Sequence, residues 1–272
     1  MKRRVKLFIP VLTVALAAAI PALGADTLRA SYSIHLIGLP LGTATMSSVI
    51  EPSSYRIDLN TKLAGIAAMV SSAKAAGAAT GSISGGRTAA ASYATTSANS
   101  EMTRTVRISL NAGTVKAAEI SPPFQELPGR VPVLESHKRN VTDPLGALLM
   151  PVPGTEPVIG PAACDRTIPV YDGWARFDIA LSYTGKKSIT SRGYTGDVAV
   201  CAARYIPVAG HRPDRPGTKF MAENRDMEVW LAPVGSTRFV MPYRISVGTM
   251  IGTTVIEATN FEASPATRAA AR

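Results

Sequence analysis

Apolar and polar residues alternate along most of this chain, with the period of two that belongs to half-buried β-strands. In LRASYSIHL, Leu28, Ala30, Tyr32, Ile34 and Leu36 share one face, and Arg29, Ser31, Ser33 and His35 share the other. GLPLG (38–42) supplies glycine and proline for a turn. GTATMSSVI and SYRIDLNTKL read as the next two strands, the latter with Tyr55, Ile57, Leu59 and Leu63 on one face. This opening predicts an antiparallel meander. The alternation resumes in TRTVRISLNAGTVKAAEI, with a turn at Asn111–Gly113. In CDRTIPVYDGWARFDIALSY, Asp172–Gly173 separates two strand-like runs, a hairpin signal. Ala175, Phe177, Ile179, Leu181 and Tyr183 face one way in its second arm. TGKKS (184–188) predicts the next turn and DVAVCAARYIPV the next strand. RDMEVWLAP, TRFVMPYRISV and GTTVIEATNF close the sheet.

Three stretches break the pattern. AGIAAMVSSAKAAGAATGSISGG is rich in alanine, glycine and serine. A short helix near 64–76 and a small-residue strand pair fit it equally well. SPPFQELPGRVPV (121–133) is a proline-rich connector. VTDPLGALLMPV places Asp143 as N-cap and Pro144 as first helical residue. It predicts a core-plugging helix, apolar through Leu145, Leu148, Leu149 and Met150, that ends before Pro151. The expected fold class is mainly β: a large curved antiparallel sheet or open barrel with one or two short helices. Its concave face must be covered by a helix, a second sheet or a ligand.

The ends of the chain set a compartment. MKRR, an apolar run and PALGAD, with Ala22 and Gly24 at the small-residue positions, form a secretory signal cut after Gly24 or Ala25. The run is short for a membrane span of about 20 residues, and an uncleaved anchor is the alternative. The expected division is 1–25 signal peptide, 26–262 one β-rich periplasmic domain, and 263–272 a disordered tail. Loss of Lys2, Arg3, Arg4 and Lys6 lowers the formal charge from +10 to +6. Such a balance favours anionic envelope surfaces, with membrane contact peripheral at most. An aromatic content of 6% and the lack of a basic helix argue against nucleic acid. In an oxidising compartment Cys164 and Cys201 read as a disulfide, which would stabilise the fold by about 4 kcal/mol on the chain-entropy model. Two free thiols or a redox pair are the alternatives, and C-x-x-C spacing is absent.

Catalytic patterns are scarce. G-x-S-x-G, H-E-x-x-H, the P-loop and G-x-G-x-x-G are missing. His35, His137 and His211 are far apart, with no i, i+4 pair to suggest zinc. His35 and His137 read as a solvated strand face and a solvated connector. Arg166 is expected to pair with Asp165 or Asp178. Arg204, His211, Arg212, Arg215 and Lys219, in and around PVAGHRPDRPG, form the densest polar group. They suit an anionic headgroup or a partner protein, against the plainer reading of a stiff solvated loop. No cofactor, metal or catalytic residue is expected.

YSIHLIGLPLG, TDPLGALLMPV, CDRTIPVYDGWARFDIAL, CAARYIPVAGHRPDR and MPYRISVGTMIG carry a family resemblance. The chain resembles the bacterial envelope family known as domain of unknown function 3108, in its alphaproteobacterial form, over roughly 27–262. The resemblance implies a periplasmic protein with a curved sheet similar to those of lipoprotein carriers, by analogy of fold. The resulting expectation is a non-enzymatic envelope protein that binds an apolar or lipid-like ligand, or a partner protein, in or on that sheet. A purely structural or protein-interaction module and an envelope-polymer hydrolase are the alternatives. The hydrolase would need two of Asp165, Asp172, Asp178, Asp197, Glu223 and Asp226 to face each other across a cleft.

Overall fold

A computed structural model describes residues 24–63 and 73–265. The alternating stretches form strands, as their period requires. The first half is a meander of β1 (Asp26–Leu36), β2 (Leu39–Ile50), β3 (Ser54–Leu63), β4 (Lys74–Ser84), β5 (Arg87–Ala98), β6 (Thr103–Asn111) and β7 (Thr114–Ser121). The second half contains β8 (Met150–Pro151), β9 (Arg166–Tyr171), β10 (Arg176–Ser191), β11 (Tyr194–Ala209), β12 (Met227–Pro233), β13 (Phe239–Thr249) and β14 (Gly252–Ser264). All join one open antiparallel sheet of 14 strands, in the order β7-β6-β5-β4-β3-β2-β1-β14-β13-β12-β11-β10-β9, with β8 paired to β13. Two short helices, α1 (Pro161–Cys164) and α2 (Pro216–Glu223), complete it.

The sheet curls until its outer strands nearly meet, and the connector seals the gap. Val141 N–H donates to Gly113 O in the β6–β7 turn at 2.9 Å. Thr142 N–H donates to Pro169 O at 2.8 Å, and Tyr171 N–H returns to Thr142 O at 2.9 Å. Gly173 packs so closely on β6 that an added Cβ would lie 2.7 Å from Val106 Cγ1. The main core fills the interior with Leu28, Ile57, Met241 and Phe261, all fully buried. A second cluster surrounds the expected disulfide, Cys164–Cys201 (Cα–Cα 5.5 Å), with Ala163, Leu231 and Val240.

Several boundaries differ from expectation. The first turn is Ile37–Gly38, both at positive φ, and Leu39 and Pro40 already belong to β2. The small-residue stretch forms the strand pair β4–β5; residues 64–72 of the alternative helix lie outside the described residues. TGKKS does not turn. A bulge between Tyr183 and Gly185 absorbs the irregularity, and β10 continues to a turn at Arg192–Gly193. Pro207 pairs with Phe177 inside β11, and Pro216 opens α2, a helix signalled by proline at its first position. Ala263 and Ser264, expected in the tail, pair with β1. The rest of the tail from 266 and the leader up to 23 lie outside the described residues. Arg166 pairs with neither Asp165 nor Asp178. Its guanidinium donates to Pro151 O at 2.6 Å and to Ala162 O, one of the carbonyls a short helix leaves without an internal partner. Asp165 instead accepts Tyr183 N–H at 2.9 Å, and Asp178 pairs with Arg176 at 2.7 Å.

Candidate functional site

The plug is the structural centre of the interior. Asp143 caps it as its position predicts, Oδ1 accepting the amides of Leu145 (2.9 Å) and Gly146 (2.8 Å). The expected helix, however, is a single 3-10 turn, Gly146–Leu148, with Leu148 N–H bonded to Leu145 O. Met150 and Pro151 are drawn into pairing with β13, and that pairing takes the chain out of helical geometry. Leu145 and Leu149 enter the main core. The small residues of β4 make room for them: a Cβ on Gly77 would lie 3.2 Å from Leu145 Cδ1.

A polar knot sits beneath this turn. Asp143 is fully buried. A Cβ on Gly146 would lie 2.7 Å from Asp143 Oδ2, 2.7 Å from Thr142 Oγ1 and 3.0 Å from the Tyr55 hydroxyl, so the three oxygens converge on one spot. Burial pushes the Asp143 carboxyl up to about 6, against the opposing pull of the Gly146 and Leu145 amides. Burial and then the Asp143 charge raise the Tyr55 phenol. Because Asp143 and Tyr55 are already packed beneath the turn, they serve the plug itself.

Two apolar clefts flank the plug. The larger, about 210 Å³, is walled by Leu148, Ile179, Leu181 and Val229, with Glu228 and Ser246 its only polar linings. The smaller, about 120 Å³, lies among Tyr32, Met46, Leu59 and Ile256, with Thr61 at its side. Leu148, Pro242 and Ile245 line both, and Tyr32 O–H donates to Pro242 O at 2.8 Å on the shared wall. A wider cleft of about 370 Å³ shares Ile34 and Thr61 with the smaller one, and Lys62, Lys74 and Arg104 stand along it. Strand pairing therefore places two carbon-lined clefts side by side, with Leu148, Pro242 and Ile245 between them, next to a cleft with a basic rim.

The cations singled out by sequence line neither apolar cleft. Arg204 is exposed on β11, Arg215 precedes α2, and Lys219 lies exposed on α2. Arg212 pairs with Asp214 at 3.1 Å. His211 is partly buried, which lowers its imidazole below the usual value while the Ala209 backbone acts the other way. The loop is fastened from below. Arg130 stacks on Trp174 at 3.5 Å and donates to Gly210 O at 2.9 Å and to Trp174 O. Val131 and the loop exchange two backbone bonds, at 2.8 and 2.9 Å. Arg130 carried no motif; only its place in the connector against Trp174 gives it this task.

The remaining titratable candidates have local roles. His35 is half-buried in β1 rather than fully solvated, and His137 Nδ1 accepts Leu134 N–H at 3.2 Å. Asp172 caps its own loop through the amides of Trp174 and Ala175, and Asp197 is held by Lys186 and Ser188. Among the described residues no three His, Cys, Asp or Glu side chains gather as metal ligands. No helix among them is long and apolar enough to cross a membrane.

No curated protein matches the chain. One similar solved structure is the crystal structure of a β-barrel-like protein of domain of unknown function DUF1849 from Brucella abortus. It is 9% identical, has a TM-score of 0.48, and the match covers 89% of this chain and 98% of that one. The family model described as protein of unknown function (DUF3108) matches residues 31–259, from β1 to β14 and so across the clefts and the plug, and the chain belongs to that family.

Proposed function

We propose that this chain is a non-enzymatic, exported envelope protein that holds a linear apolar chain in the clefts flanking the plug. The carrying observation is the pair of clefts that share Leu148, Pro242 and Ile245 as a wall, with Leu148 supplied by the plug. Neither alone reaches the roughly 300 Å³ of an ordinary ligand pocket. Rotation of Leu148 out of the wall would join them into a path for a chain rather than a compact molecule. The basic rim suits a ligand with an anionic head. Away from both apolar clefts, the cations at Arg204, Arg212, Arg215 and Lys219 suit an anionic envelope component or a partner.

Titration with a fluorescent fatty acid tests the groove. Wild type should bind it, Leu148→Ala should bind at least as tightly, and Leu148→Trp, which fills both clefts, should bind at least tenfold more weakly. Equal binding by wild type and Leu148→Trp would remove the groove from consideration. A second reading, a protein-interaction module, draws on β7, which among the described residues pairs only with β6 and offers its other edge to a partner strand. Crosslinks mapped to Thr114–Ser121 rather than to the groove would favour it.

A further inference from the structure

Among the described residues, one end of the sheet carries large apolar side chains that lie outside both core clusters. At that end the β1–β2 turn and the β13–β14 turn are neighbours. Leu36 pairs with Leu39 and with Thr254, Thr249 pairs with Gly252, and Ile37 N–H donates to Thr253 O at 3.0 Å. Their tips are apolar: Ile37, Leu39, Met250 and Ile251 are 65, 62, 60 and 69% exposed. Large apolar side chains scattered singly over a surface need no explanation, but four on two adjoining tips form a patch.

Ile37 also works against its own backbone. It occupies a two-residue turn at φ +52, followed by Gly38 at φ +75. Such a turn prefers Asn-Gly or Asp-Gly, and a β-branched residue at positive φ is a genuine outlier. Asparagine would suit both the turn and the solvent. An isoleucine held there costs conformational energy and solubility together, which points to a use for the side chain.

Cations border the patch. Lys62 and Lys74 are direct cross-strand partners, both exposed. Like charges opposite each other destabilise a sheet unless an anion lies between or above them. Next along the same end, Lys74 pairs with Ala98 and Ala98 with Thr103, which brings in Met102, also exposed, and Arg104 stacked on Phe124 at 4.0 Å. Glu101 is the acid in that loop. Apolar tips short enough to enter only a headgroup layer, flanked by lysines, have the composition of an interfacial anchor.

We propose that this end of the sheet docks on an anionic lipid bilayer, with Ile37, Leu39, Met250 and Ile251 entering the interface and Lys62 and Lys74 meeting phosphate headgroups. Docking does not require the groove to hold a ligand. Co-sedimentation with phosphatidylglycerol vesicles and with phosphatidylcholine vesicles, on the chain as the cell processes it, tests the idea. Wild type should bind the anionic vesicles several-fold better, and high salt should remove that advantage. The double variant Ile37→Asn, Ile251→Ser should lose at least tenfold in binding. Because asparagine relieves the turn, Ile37→Asn alone should keep or raise Tm, so lost binding cannot be blamed on unfolding. Lys62→Gln with Lys74→Gln should lower binding to the anionic vesicles alone, and the groove variant Leu148→Trp should dock normally. Wild type that ignores anionic vesicles, or tip variants that bind as wild type, would overturn the proposal. So would light scattering that shows a dimer dissolved by the tip variant, which would make the patch a contact between copies of this chain.

Discussion

Asp143 shows how one side chain can serve local structure at a cost in charge. Its carboxyl accepts two amides at the head of the plug, yet burial raises its pKa to about 6 from the ordinary 3.8 of an aspartate. A raised carboxyl binds its proton more tightly in the folded state, so its stabilising effect is full below pH 3.8. That effect falls as pH rises toward 6 and stays low beyond. The expected loss is on the order of 2–3 kcal/mol. Asp143→Asn keeps an acceptor for both amides and removes the titration. Urea unfolding at pH 4, 5 and 7 should therefore show a decline in wild type that is largely absent in the variant; identical declines would contradict it. Gly146→Ala tests the same knot by crowding, because its Cβ would press on Asp143, Thr142 and Tyr55. It should lower stability by about 1–3 kcal/mol, the usual cost of an overpacked core.

At the level of elements, the disulfide joins α1 to the middle of β11 and closes a loop of 37 residues. Cys201→Ser should reduce stability by up to about 4 kcal/mol on the chain-entropy argument while leaving far-ultraviolet dichroism recognisably β. An unchanged Tm would count against a structural role. That pairing was legible because the chain has two cysteines, and two cysteines read as a disulfide leave one choice. Most strands were legible too, because half-buried strands write their period directly into the chain. The errors have physical causes. TGKKS looked like a turn because it is polar with a glycine, but a bulge at Gly185 lets a strand carry those residues through. VTDPLGALLMPV has a helix start, yet β-pairing at Met150 competes with the next turn and wins. The groove was illegible for a different reason. Leu59 and Ile245 share a cleft wall although nearly two hundred positions separate them, and no local pattern records that meeting.

For the whole molecule, the seam between the first and last parts of the sheet depends on the connector more than on strands. Arg130 is its chief fastener, touching both Trp174 and the Gly210 carbonyl. Arg130→Ala should expose 121–142 to limited proteolysis before the rest of the molecule. Arg130→Lys should rescue it only in part, since an ammonium lacks the flat fork that stacks and donates together. Resistance equal to wild type would show that the backbone bonds at Val131 suffice. The pairing of β1 with β14 reaches further still. Thr259 bonds Ser31 across 228 positions, so the central strand of the sheet has no neighbour on one side until almost the whole chain exists. Contacts of that span slow folding. The same adjacency makes the molecule a good subject for circular permutation. Thr27 lies opposite Ser264, so a short linker could join them and new ends could open at Gly85–Gly86 without breaking any strand.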